Sequence, residues 1–187
     1  MQHLIYSLLS LGIAYLIGSF PTGYIAGRLV SNIDLRDKGS GSTGATNVLR
    51  YVGKFPAFIV LLIDIGKGIA AVYLAKSLLF NDVFQIACGL AALTGHIWPV
   101  WLRWKGGKAV ATGLGMLIGI SWPVGLASLG IFLTVLSFTR IVSLSSVISA
   151  VCLPLLMAIS LKGIFFSSSY FGFSIIAMAL VVWRHRS

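Results

Sequence analysis

Apolar runs of about 20 residues, the length a helix needs to cross the hydrocarbon of a bilayer, recur along this chain, separated by polar breaks of which one is long. No soluble globule can bury that much apolar surface. Of 187 residues, 58% are hydrophobic and only 10% are charged, against roughly 25% charged in an average soluble domain. Composition therefore excludes a soluble globule, a disordered chain and a nucleic-acid-binding module. It defines a single polytopic membrane domain over residues 1–187, whose core is the set of contacts between its own spans.

Leu4 to about Arg28 makes a first span, Phe55 to Tyr73 a second and Val83 to Leu102 a third, with Ile141 to Ser160 and Phe165 to Trp183 at the end. Residues 29–54 form a long polar, Gly-rich loop, and Arg103 to Lys108 a short basic one. Ala109 to Phe138 reads either as one tilted span or as two short ones broken at Ser121-Trp122-Pro123. Charge decides between them. Lys and Arg number 14 against four acids, Asp34, Asp37, Asp64 and Asp82, for a net charge of +10. With the break, Arg28, Arg36, Lys38, Arg50, Lys54, Arg103, Lys105, Lys108, Arg140, Arg184 and Arg186 share one side, opposite Lys76 and Lys162, while Lys67 lies within a span. Without it, Arg140, Arg184 and Arg186 cross to the far side. Basic loops stay cytoplasmic, so the expectation is an all-α integral membrane protein of about seven transmembrane helices, one or two of them short, with the N-terminus outside and the C-terminus cytoplasmic. The first run lacks a basic leader and a small-residue cleavage site, and reads as a retained span. Cys88 and Cys152 lie in apolar runs without a CxxC partner and read as inert thiols.

The polar chemistry gathers on the basic side. The first loop reads Lys38-Gly39-Ser40-Gly41-Ser42-Thr43-Gly44-Ala45-Thr46-Asn47-Val48-Leu49-Arg50. Gly39, Gly41 and Gly44 let the backbone turn tightly and present N–H groups as an anion nest. Ser40, Ser42, Thr43, Thr46 and Asn47 add neutral donors, and Arg50 a bidentate phosphate donor. Gly39 to Gly44 has the glycine spacing of a nucleotide phosphate loop, but Ala45 stands where the lysine belongs and no strand precedes it. The bland alternative is a flexible linker; Asn47 and Arg50 between two spans favour a phosphate cradle. The second loop places Gly106-Gly107-Lys108 at a helix start, where backbone donors and the positive helix end would point at one anion. Lys105 stands just before it. Inside-positive topology alone would also explain Arg103, Lys105 and Lys108. Trp98, Trp101 and Trp104 suit interfacial anchors. His96 ends the third span, either hydrogen-bonding backbone or acting directly, and His185 lies beside Arg184 and Arg186. Asp64 and Lys67, three residues apart on one helix face, read as a structural intramembrane pair before a proton relay. Three His and four Asp show no metal-ligand spacing, and no Ser-His-Asp or Cys-His arrangement can be placed. The bottom-up reading is a one-sided pocket for phosphorylated ligands. A transporter would want similar loops but polar groups near the midplane, and a membrane scaffold gives no reason for two such loops.

Gly18-Ser19-Phe20-Pro21-Thr22-Gly23, the Gly39–Arg50 loop and His96 with Lys105-Gly106-Gly107-Lys108 resemble the bacterial acyl-phosphate:glycerol-3-phosphate acyltransferase family, PlsY. Asp64-Ile65-Gly66-Lys67-Gly68, Arg140-Ile141-Val142-Ser143-Leu144 and Arg184-His185-Arg186 fit as well, so the resemblance covers essentially the whole chain. It implies transfer of a fatty acyl group from acyl phosphate to the sn-1 hydroxyl of glycerol 3-phosphate, giving 1-acylglycerol 3-phosphate (lysophosphatidic acid) and phosphate, in phospholipid biosynthesis. The site implied lies at the cytoplasmic face of the bacterial inner membrane, with membrane lipids around it, no nucleic acid and no cofactor. A monomer is compatible with this; nothing in the sequence sets an oligomeric state. Ser40, Arg50, Lys108 and His185 are the expected catalytic residues, with Gly39, Gly41, Gly44, Thr46, Asn47, His96, Lys105, Gly106, Gly107 and Ser143 as substrate-binding ones. Gly106, Gly107 and Lys108 match the family motif tied to glycerol 3-phosphate, and Ser143 and His185 match positions lining the same pocket. Acyltransferases of the unrelated acyl-CoA type use a His with Asp five positions later; Trp101 stands there after His96. Direct transfer is therefore expected, with the donor phosphate accepting the hydroxyl proton and an acyl-Ser40 intermediate as the competing version. The family's last motif continues past Arg184-His185-Arg186 with Asn, Ile and a later Glu. This sequence ends at Ser187, so such a tail either lies outside it or is dispensable here.

Overall fold

The structure, a computed structural model, describes residues 2–160 and 168–185. Those residues form nine α-helices and two short 3-10 turns, with no strand among them: α1 (Gln2–Ser19), α2 (Thr22–Ser31), α3 (Ala45–Tyr51), α4 (Lys54–Ser77), α5 (Asp82–Ile97), α6 (Val110–Ile120), α7 (Trp122–Thr139), α8 (Val142–Ser160) and α9 (Ser168–Arg184). Five helical stretches are long and apolar enough to cross a membrane: Ile5–Ser31, Lys54–Ser77, Asp82–Leu102, Trp122–Thr139 and Val142–Ile159. Val110–Ile120 and Ser169–Arg184 are shorter apolar helices.

Two breaks shape the bundle. The first apolar run is not one helix, because Pro21 offers no N–H to carry the ladder past Phe20. Helix α1 stops at Ser19 and α2 starts at Thr22, and at the break the Phe20 carbonyl accepts both the Thr22 N–H and the Lys67 side chain. The run 109–138 also divides, at Ser121, whose extended backbone (φ −147°, ψ 100°) separates α6 from α7 just before Pro123. One expected feature differs. The loop 29–54 is not irregular throughout: Ala45–Tyr51 is a helix, and Leu35 and Val48 are fully buried in a small core with Ala57 and Val60. Arg186 and Lys162 lie outside the described residues, as does the start of the last expected span.

Helices α4 and α6 run side by side in the same direction. A Cβ on Gly115 would lie 1.9 Å from the Ile65 carbonyl oxygen, and one on Gly68 would lie 2.1 Å from that of Thr112. Only small residues permit this approach, which replaces the hydrophobic effect as the source of adhesion between helices in lipid. A larger apolar core joins Val72, Leu93, Met116, Leu117, Val124, Leu153 and Phe173 across α4 to α9. The same direction of run carries Lys76 at the end of α4 to the Ile120 carbonyl at the end of α6. The start of α4, the end of α5, the start of α6 and the end of α9 therefore meet at the other end of the bundle. By alternation through the tight turns at Ser121 and Arg140, the start of α8 belongs to that end too.

Candidate functional site

Both Gly-rich loops and the end of α9 come together at this end. The first loop is held by its own side chains. Asp34 caps the turn Leu35–Asp37 by accepting from the Arg36 N–H (3.0 Å), and its carboxylate grips the Arg36 guanidinium at 2.6 Å. That guanidinium holds the Asp34 pKa down to about 2 and has its own raised in return. Arg36 also donates to the Leu102 carbonyl (3.2 Å), which ties the first loop to the second.

Asn47 is the keystone of the loop. It is 2% exposed, and its Nδ2 donates to the carbonyls of Leu35 (3.1 Å), Lys38 (3.0 Å) and Ser42 (2.9 Å). Its amide is spent on the loop itself, where the sequence suggested a ligand donor. The backbone donors are partly spent as well: the Gly41 N–H goes to the Lys38 carbonyl and the Gly44 N–H to Ser42 Oγ. Gly39 and Gly41 stand at φ +54° and +65°, left-handed backbone that a larger residue rarely adopts. Ser40 and Arg50 are exposed and Thr46 half-buried.

In the second loop the paired glycines do something other than expected. The Gly106 and Gly107 N–H groups donate to the carbonyls of Ile97 (3.1 Å) and His96 (3.0 Å), so they are unavailable to an anion. Both are fully packed. A Cβ on Gly106 would lie 2.2 Å from the His96 carbonyl oxygen, and one on Gly107 would lie 2.1 Å from His96 Nε2. The helix also begins two residues later than expected, at Val110, after Ala109 turns in left-handed conformation (φ 58°). Lys105 is exposed and Lys108 half-buried.

Lys108 is where the elements meet. Burial lowers its pKa, and the charges of Arg184 and Arg50 lower it further. The half-buried His185 imidazole is pushed below its ordinary value by burial, with Lys108 and Arg184 adding to the effect and the Val181 carbonyl opposing it. Its Nδ1 lies 2.8 Å from that carbonyl, which makes Nδ1–H the donor in the neutral ring and leaves the Nε2 lone pair free. Lys108 thus links like charges, with Arg50 and Arg184 acting on it and His185 feeling both Lys108 and Arg184, an arrangement that an anion stabilises. Arg184 reaches across α9 to donate to the Gly107 carbonyl (3.2 Å), and its buried Nε has no hydrogen-bond partner. Its contribution is masked in the sequence by the topological role of any basic residue after a span; its place directly before His185 is the one available signal. Ser143 is exposed in the first turn of α8.

Beside the cluster a groove of about 730 Å³ opens between the two loops, lined by Tyr24, Arg36, Trp101, Arg103, Lys105 and Arg184 among others. Below it, inside the bundle, Asp64 (1% exposed), Lys67 (5%) and His96 (7%) form a buried polar network with Thr22. Asp64 Oδ1 accepts from Thr22 Oγ1 (2.6 Å) and Lys67 Nζ (2.7 Å), with His96 Nδ1 at 3.8 Å. Lys67 also donates to Thr22 Oγ1 and to the Phe20 carbonyl. His96 therefore lies under the second loop, between Gly107 and Asp64.

Several apolar helices of membrane-spanning length, no strand among the described residues, and a cationic, Gly-rich end of the bundle define the class as an integral membrane protein. The sequence profile of the glycerol-3-phosphate acyltransferases matches residues 8–187, and the chain belongs to that family. It is 65% identical to a glycerol-3-phosphate acyltransferase of Prochlorococcus marinus (strain MIT 9313), over 97% of this chain and 88% of the relative. It is 64% identical to one from Synechococcus sp. (strain CC9605), over 97% and 87%. Among solved structures it is similar to PlsY (YgiH), an integral membrane glycerol 3-phosphate acyltransferase, in its glycerol 3-phosphate form. That match has a TM-score of 0.88 at 35% identity and covers 96% of this chain and 88% of that one. The lysophosphatidic acid form of the same protein matches with a TM-score of 0.85.

Proposed function

We propose that this protein transfers a fatty acyl group from acyl phosphate to the sn-1 hydroxyl of glycerol 3-phosphate, releasing 1-acylglycerol 3-phosphate and inorganic phosphate. The observation that carries the reading is the Arg184 hydrogen bond to the Gly107 carbonyl, which seats Arg184 and His185 beside Lys108 at one end of a membrane bundle, with Arg50 near enough for its charge to act on Lys108. Both substrates carry phosphate, and one carries an acyl chain that a bundle in lipid can receive from the side. The family relationship and the likeness to an acyltransferase in its glycerol 3-phosphate form support the acceptor.

The step needs no strong base. The sn-1 oxygen attacks the acyl carbonyl carbon, the bond from that carbon to the phosphate oxygen breaks, and the hydroxyl proton passes to the departing phosphate. Acyl phosphate is already activated, so the protein's work is placement and charge. Arg50 and Lys108 hold phosphate, and their charge grows more favourable as the leaving group gains negative charge. Neutral His185 offers its Nε2 lone pair to orient the hydroxyl. Ser40 and Thr46 contribute hydroxyl donors at the mouth. Seven spans, with the cluster facing the cytoplasm of a bacterial inner membrane, follow from the basic residues gathered at this end.

The test is to incubate the purified protein with palmitoyl phosphate and glycerol 3-phosphate, following inorganic phosphate and lysolipid together, with palmitoyl-CoA as control. Equal amounts of both products and no turnover of the thioester are expected. Turnover of the CoA ester instead would refute the donor assignment.

A further inference from the structure

The buried Thr22–Asp64–Lys67–His96 network does more than satisfy two charges. An Asp–Lys pair at i,i+3 could neutralise itself on one helix face. Here Asp64 gathers partners from three elements: Thr22 opening α2, Lys67 in α4 and His96 in the last turn of α5. Lys67 adds a fourth attachment, the Phe20 carbonyl at the break between α1 and α2. His96 then passes this rigidity upward. One edge of its ring faces Asp64, and the other lies where a Cβ on Gly107 would stand, 2.1 Å from Nε2. Its own carbonyl, and that of Ile97, accept the Gly107 and Gly106 N–H groups. Gly107 in turn offers its carbonyl to Arg184, and the next residue is Lys108. The segment is gripped from its far side too: Gly68, next to Lys67, packs against the Thr112 carbonyl in the first turn of α6.

We propose that this network is a positioning device for the cationic cluster, in which Asp64 and Lys67 fix His96, and His96 fixes the Gly106–Lys108 segment and, through the Gly107 carbonyl, Arg184. His96 and Asp64 are positioning residues; neither touches substrate. The proposal rests on the reading of Lys108 as a phosphate-binding group. Its logic is that small displacements of a preorganised charge are costly to catalysis, and that a glycine pair with no Cβ is the only backbone that lets an imidazole edge lie against it.

Two variants separate the edges of the ring. His96→Asn keeps a polar atom near the Nδ1 position, toward Asp64, and empties the space under Gly107. His96→Gln puts a polar atom back near the Nε2 position. The expected result is a folded His96→Asn protein, with thermal unfolding in detergent close to the parent's, whose KM and Kd for glycerol 3-phosphate rise about tenfold or more, the size of a displaced charged contact. His96→Gln should recover most of that loss. Both variants folding with parent-like KM, kcat and Kd would overturn the proposal. If both fail to fold, the parent protein decides by hydrogen exchange. The Gly106 and Gly107 amides should be strongly protected without any substrate, and fast exchange there would overturn the proposal. Exchange and glycerol 3-phosphate binding are read without turnover, so they distinguish a failure of positioning from a failure of the assigned reaction.

Discussion

Asn47 gives the sharpest test of how the first loop is built. Its amide donates to three carbonyls, those of Leu35, Lys38 and Ser42, and the bonds to Leu35 and Ser42 are buried. Asn47→Ala leaves the buried Ser42 carbonyl without its side-chain donor, at about 1–3 kcal/mol when water cannot reach it, while the Leu35 carbonyl keeps the Lys38 N–H. That corresponds to a roughly 5- to 150-fold rise in the population of the opened loop. Asn47→Asp is close to isosteric but removes both donors and turns a negative charge toward three carbonyl oxygens, so its effect should be at least as large. The assay is trypsin cleavage at Arg36 and Lys38, whose rate follows the open population when opening is fast. Binding of glycerol 3-phosphate is measured alongside. Both variants should be cut faster and bind more weakly, with overall thermal unfolding little changed because the helices of the main core are untouched. A parent-like cleavage rate in Asn47→Asp, combined with lost binding, would refute the reasoning. It would mean that Asn47 acts on the ligand and not on the loop.

Three further outcomes follow from the geometry. Lys67→Met leaves Asp64 buried without its cation and should destabilise the protein by about 3–5 kcal/mol, whereas Asp64→Asn with Lys67→Met should recover much of that; equal unfolding temperatures for the single and double variants would contradict the pairing. Asp34, with its pKa held near 2 against 3.8, stabilises the loop fully above 3.8 and loses that contribution as pH falls through about 2. Emission from Trp101 and Trp104, which share the groove with Arg36, should shift over that acid range in the parent and not in Asp34→Asn. Because burial holds the Lys108 pKa below that of an ordinary lysine, its charge is lost earlier as pH rises, so KM for glycerol 3-phosphate should climb before the pH at which an ordinary lysine discharges. Lys108→Arg, which stays charged, should lack that climb even if its KM is higher throughout; an identical alkaline limb would clear Lys108 of responsibility.

Much of this protein was legible in its sequence because membrane segments obey local rules. Apolar runs set the helices, since every backbone group in lipid must be satisfied within its own segment. Charge asymmetry pointed to the break before Trp122, and Pro123 marks it in the structure. The residue types for anion handling, Arg50, Lys108 and His185, stood out against so apolar a background. Their glycine neighbours stood out too, but for the wrong reason. Spacing alone suggested free N–H donors at Gly106 and Gly107, whereas those donors are consumed by Ile97 and His96. The glycines are there because an imidazole edge and a carbonyl occupy the space of their Cβ atoms. Asn47 likewise resembled a ligand donor, and is the plug of its own loop. Asp64 and Lys67 announced themselves as a pair, but their link to His96 and Thr22 could not be read, because it joins residues 32 to 45 positions apart whose contact depends on how α2, α4 and α5 pack. Sequence by itself determined which residues carry charge and which segments can live in lipid, because those are properties of single residues and short windows. Only the tertiary structure decided which donors remain free, because a hydrogen bond is spent or available according to the neighbour that folding brings to it.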